Sequence, residues 1–234
     1  MTSSASAWLP SGSIFLETSP TPPVRSHRPW NQGDIFADVT ITLTNRAGSG
    51  EPTPKMKQGH AMLIGHPCSL RGGGRIAVLQ NLVEVRPLKD SEAERFSEPW
   101  DTDFKLFPLV GFAPDRLWVA DFNVLGTAHF KLLENKRVAC LSLEGWAALQ
   151  RRYASHSLRI DQSIELRMAD LRRYWSELEL WEEWCARGHP EPDFYSWITQ
   201  PIETDGLYKG TTRLQAVELA ADIIRSELPA PIEP

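Results

Sequence analysis

A chain of 234 residues with 41% hydrophobic and 24% charged residues suits one large globular domain or two small ones. That balance excludes collagen, coiled-coil rods, wholly disordered chains and disulfide scaffolds, and no apolar run reaches the roughly 18 residues of a membrane span. With 25 Lys+Arg against 30 Asp+Glu the formal charge is −5, so a chain-wide basic coat for nucleic acid is excluded while a local basic patch is not.

Residues 1–30 are rich in Ser, Thr and Pro, with Pro20, Pro22, Pro23 and Pro29 closing the stretch. Proline fixes φ and removes a donor, so an extended N-terminal arm is expected, with Ile14, Phe15 and Leu16 able to dock as one short strand. Ile35, Val39, Ile41 and Leu43 then alternate with polar residues, the pattern of a half-buried strand. Asn45 to Pro54 reads as a loop from its Gly and Pro content, followed by a short apolar strand at Ala61 to Ile64. Arg71-Gly72-Gly73-Gly74-Arg75 is a flexible turn. One strand is expected over 76–79 and 82–85, bent near Asn81, and two more at 104–110 and 117–122, with an exposed connection or helical turn between Lys89 and Asp103.

Beyond Cys140 the period becomes helical. Ser142 is placed to cap a helix burying Trp146, Leu149 and Tyr153. A second helix over roughly 162–187 carries Ile164, Met168, Leu171, Trp175, Leu178, Trp181 and Cys185 on one stripe and stops at Gly188 and Pro190. A last helix is expected from Thr212 to Leu228. Trp184 lies off the apolar stripe and is expected to be exposed. The expected segments are therefore an arm (1–30), a β region (31–140) and a helical extension (141–234).

Cys68, Cys140 and Cys185 are far apart and lack CxxC or Cys–His spacing, so neither a zinc site nor a disulfide framework is expected. No cofactor motif is present. The first 13 residues lack the basic and apolar regions of a signal peptide, and a cytoplasmic location is expected.

Gly33-Asp34-Ile35-Phe36, then Ala61-Met62-Leu63-Ile64, then Val83-Glu84-Val85-Arg86-Pro87-Leu88 resembles the barrel of the PemK/MazF family across residues 31–90. The resemblance implies an α+β chain with a small SH3-like β-barrel followed here by helices, of the kind found in toxins that cut RNA, and it implies a homodimer unless the extra helices replace that interface. Two departures stand against the catalytic part. Gly59-His60 occupies the place of an Arg-Pro pair before the second strand, and Lys89-Asp90 that of a Thr or Ser after the third. RNA cleavage needs a cation for developing charge and a group to manage the 2′-hydroxyl proton. The expected role is therefore a nucleic-acid-linked or partner-binding module. A toxin-type endoribonuclease with substitute residues, or a structural adaptor, are the alternatives. His66-Pro67-Cys68-Ser69 is also similar to a His-x-Cys element in a group of bacterial barrel proteins with helical tails.

Lys57, His60, His66, Arg71, Arg75 and Arg86 are the candidate ligand or RNA-binding residues, with no catalytic residue assigned. Arginine forks bind phosphate bidentately, and a glycine-rich turn lets backbone donors approach an anion. His66 beside Cys68 would pair an imidazole with a thiol, but no third orienting group accompanies them, and a strand end with a buried cysteine is the simpler reading. Trp175 and Trp181 of the second helix are expected as core anchors first and a protein-partner interface second, ahead of a stacking platform for bases shared with Trp184.

Overall fold

The structure, a computed structural model, describes residues 10–44, 54–72, 75–93, 104–158 and 168–232. In chain order these form β1 (Phe15–Thr18), β2 (Ile35–Thr44), β3 (Pro54–Leu63), α1 (Pro67–Leu70), β4 (Arg71–Gly72), β5 (Arg75–Ile76), β6 (Leu79–Pro87), α2 (Asp90–Ala93), β7 (Leu106–Pro108), β8 (Trp118–His129), β9 (Arg137–Leu141), α3 (Leu143–Leu158), α4 (Met168–Ala186), α5 (Asp193–Ile198), α6 (Arg213–Ala216) and α7 (Ala221–Ser226). The fold is mixed, with one large antiparallel sheet and several helices. Among the described residues no helix is long and apolar enough to cross a membrane.

Contacts gather the chain into two units. The first takes the described parts of 1–26, 31–70 and 76–166, and the second those of 27–30, 71–75 and 167–234.

The first unit holds a seven-stranded sheet in the order β1-β9-β2-β3-β6-β8-β7, with every pairing antiparallel. β2 also pairs with β8, Thr42 opposite Thr127 and Leu43 opposite Gly126, so the run β2–β3–β6–β8–β2 closes on itself. Two irregularities bend these strands, and an inserted residue raises local twist. One is the β2 bulge between Phe36 and Val39, where Asp38 takes φ 51°. The other inserts Phe122 to Val124 into β8, because Glu84 faces Asp121 while Val83 faces Leu125. Gly126 lies where β2 crosses β8: a Cβ there would sit 2.8 Å from the Thr42 carbonyl oxygen. Ile35, Phe36, Met62, Leu63, Leu82 and Phe107 fill the core of this unit together with Leu149 of α3.

The proline-rich N-terminal segment packs rather than trailing. Ile14, Phe15 and Val24 are buried, and β1 pairs with β9. Arg137 on β9 holds it: its Nε donates to the Val24 carbonyl (3.0 Å), one Nη donates to the Arg25 carbonyl, and the other to Asp34 (2.8 Å).

The second unit buries Leu180, Trp181 and Trp184 of α4 against Phe194, Trp197 and Ile198 of α5 and Val217, Ile224 and Leu228 further on. Trp181 stacks on Phe194 with centroids 5.2 Å apart and planes 3° from parallel. Trp184 is buried, not exposed as its place off the stripe led us to expect, because α5 and the turn after α4 cover that side: its Nε1 donates to the Pro190 carbonyl. The helix expected over 212–228 is two short helices, because Ala220 (φ −127°, ψ 28°) leaves the helical region. Thr212 caps α6, with its side chain accepting from the Gln215 amide and the Gln215 side chain accepting from its own.

Candidate docking face

Strand alternation decides what each expected site residue can do, since neighbours along a strand point to opposite faces and directly paired residues share one. Ala61 pairs with Glu84, and Glu84 with Asp121, so Lys57 (four residues before Ala61) and Arg86 (two after Glu84) lie on the same face as both carboxylates. They are used there. Lys57 Nζ lies 2.5 Å from Glu84, and Arg86 makes a bidentate pair with Glu92, both contacts 2.7 Å, while reaching Asp121 at 2.9 Å. The remaining oxygen of Asp121 accepts from the Asn123 backbone and side-chain amides. The hydrogen bonds from Arg86, with that from the Lys89 amide, lower the Glu92 carboxyl to about 2, and the same pairing raises the Arg86 guanidinium further above its ordinary range. Two cations thus meet three carboxylates, and the group offers no surplus positive charge to an anion.

His60 lies on the opposite face. His66 is exposed in the turn before α1, its carbonyl accepting from the Ser69 and Leu70 amides and the Ser69 hydroxyl. Arg71 and Arg75 fall on β4 and β5, and their side chains, like that of Cys68, lie outside the described residues. Lys57 and Arg86 therefore lie on one face, each against its own carboxylates, and His60 lies on the other. Among the described residues no His, Cys, Asp and Glu group could hold a metal ion.

The face carrying His60 has a different character. Met56 pairs with Thr42, Thr42 with Thr127, and Thr127 with Asn81, one row across four strands. Beside it stand Thr40, Gln58, His129 and Leu79 on one flank and Leu125 on the other. None of these nine side chains is an acid, a lysine or an arginine. Met56 is 71% exposed, Leu79 63% and Leu125 50%. Outward sheet faces normally carry charge, and Met with depleted charge is the composition of a protein interface core.

This strip runs into an aromatic cluster. His60, two residues beyond Gln58, meets Trp118 edge-on (centroids 5.2 Å) and Phe112 (5.9 Å); Phe112 meets Trp118 (5.4 Å) and Phe15 (5.7 Å). His60, Phe112 and Trp118 are all partly exposed. The Trp118 indole Nε1 is buried and has no hydrogen-bond partner among the described residues. Burial pushes the His60 imidazole below its ordinary value, against a smaller opposing pull from Asp38 in the β2 bulge.

No protein-family model matches the chain, and no curated protein sequence matches it either.

The residues of this uncharged face, Met56, Thr42, Thr127, Asn81, Leu79 and Leu125, were missed by sequence reasoning. One signal was present: from Pro54 to Met62 the even positions are uncharged and the lysines fall on odd ones. The Gly and Pro residues nearby disguised that alternation as a loop, whereas β3 begins at Pro54.

Proposed function

We propose that this protein is a partner-binding module, built on a small SH3-like barrel of the PemK/MazF kind, that docks another protein through the uncharged face of its sheet and does not cut RNA. The barrel reading is supported by the closed run of pairings β2–β3–β6–β8–β2. The docking reading rests on one observation, the nine-residue face without an acid, lysine or arginine, led by the exposed Met56, Leu79 and Leu125. Burying such a face strips water from no ion, so the desolvation cost that opposes association is small. RNA requires the reverse, cations free to meet phosphate. Lys57 and Arg86, two of the residues expected to supply them, are occupied by Glu84, Glu92 and Asp121.

Site-specific photo-cross-linking in cells tests this. A cross-linker placed at Met56 or Leu79 should give protein adducts that a cross-linker at the exposed Glu134 does not. Adding Leu125→Lys should abolish them without changing the melting temperature. Adducts to nucleic acid, or cleavage of single-stranded RNA by the purified protein that is lost in Arg86→Ala, would overturn the reading.

A further inference from the structure

β3 pairs with β6 only from His60 to Leu63, opposite Val85 to Leu82. From Pro54 to Gly59 it pairs with β2 alone, and no other strand of the described residues lies along its outer side. The side chains from Pro54 to Gln58 are all exposed, and around Gly59 the space is open to a depth of 4 Å from a would-be Cβ. An unpaired strand edge offers a row of amides and carbonyls that another extended segment can complete.

The two faces of this edge differ sharply. Lys55 and Lys57 project to one side, while Met56 and Gln58 project to the other, toward the uncharged strip and His60. Lys55 has no ion pair among the described residues, and Lys57 is tied to Glu84 yet remains nearly half exposed. Both lysines also disfavour a second copy of this chain, since two such edges brought together would place lysine near lysine.

We propose that the edge of β3 from Pro54 to Gly59 receives an extended, acidic segment of the partner protein as an added strand. Main-chain hydrogen bonds to β3 provide the common part of the affinity. The side chains of the segment alternate: a carboxylate opposite Lys55, a neutral polar group opposite Lys57, which Glu84 already holds, and apolar groups opposite Met56 and Gln58 that lie down on the uncharged strip. This rests on the docking reading above and adds to it the conformation and chemistry of what docks.

The probe is a pair of labelled ten-residue peptides of identical composition, one alternating glutamate with valine and threonine, the other with its glutamates in one block. The alternating peptide should bind the full-length protein and slow exchange of the outward amides between Lys55 and Gly59, and the blocked peptide should bind at least tenfold more weakly. Lys55→Glu should weaken the alternating peptide by about tenfold, since its cross-strand charge pair changes from attraction to repulsion. The same variant should gain affinity for a peptide alternating lysine with valine, a rescue that a misfolded variant does not give. Equal binding of both peptides, absence of binding at millimolar peptide, protection elsewhere, or indifference to charge reversal overturns the strand proposal. If cross-links from Met56 persist in the Lys55→Glu variant while the peptides fail, the docking face stands and only the added strand falls.

Discussion

Arg137 and Asp34 meet 2.8 Å apart with each side chain only 3% exposed, joining β9 to the entry of β2. Asp34 also accepts the Asn31 amide, and Arg137 spends its other donors on the Val24 and Arg25 carbonyls. Removing one partner leaves the other charge buried and uncompensated. Asp34→Ala is expected to cost about 3–5 kcal/mol in urea unfolding, whereas replacing both residues with apolar ones of similar size should cost much less. A loss below about 1 kcal/mol for the single variant would show that water reaches the pair.

Gly145 tests backbone packing against helix propensity. A Cβ there would run into the carbonyl of Ile14, the same oxygen that accepts the Ser142 amide (2.9 Å). Propensity alone favours Gly145→Ala by about 1 kcal/mol. The clash is with main chain and cannot be relieved by a rotamer, so net destabilisation of roughly 2–3 kcal/mol is expected from overpacking. Ser142→Ala, which removes only the hydroxyl accepting the Gly145 amide at 3.1 Å, should cost about 1 kcal/mol. Thermal melts that rank the two variants in the opposite order would refute this packing account.

Local pattern made some of the molecule legible and hid the rest for identifiable reasons. The alternation of Ile35, Val39, Ile41 and Leu43 marked β2, and Ser142 with Trp146 and Leu149 marked α3, because each element shows its own periodicity over many residues. β9 escaped notice: Arg137 to Leu141 is buried throughout and has no alternation. β8 was seen only to Phe122, since its second half follows a three-residue insertion that shifts the register. The proposed docking face needs three cross-strand registers before Met56, Thr42, Thr127 and Asn81 become neighbours, and no window of sequence contains them. The same holds for Arg86, whose cationic promise is cancelled by Asp121, 35 residues away.

Glu92 links the Arg86 cluster to acid stability. Its carboxyl lies at about 2 against an ordinary 4.5, lowered by the bonds from Arg86. A depressed carboxyl stabilises the fold fully above the unfolded value and loses that contribution as pH falls from about 5 towards 2. The side chain is 23% exposed and partly screened by solvent, so the contribution is set at about 1–2 kcal/mol. Glu92→Gln is expected to be less stable than the parent at pH 6 and to match it at pH 2. A constant difference between the two across this range would detach Glu92 from the acid limb.

His60 governs a separate and milder limb. Burial against Phe112 and Trp118 holds its imidazole below the ordinary 6.5, so the folded state keeps it neutral where an unfolded chain would already be protonated. Stability from this group is complete above about pH 6.5 and declines as pH falls through the lower folded value. His60→Phe keeps a ring in the cluster without the titration. The stability of the parent relative to this variant should therefore fall between pH 7.5 and 5, a difference that cancels the other histidines. Protonation also places a charge at the end of the uncharged strip, next to Gln58 and Met56. Partner binding through that face should weaken over the same interval in the parent and stay level in His60→Phe. Parallel pH profiles for parent and variant, in both melting and binding, would remove His60 from the docking face.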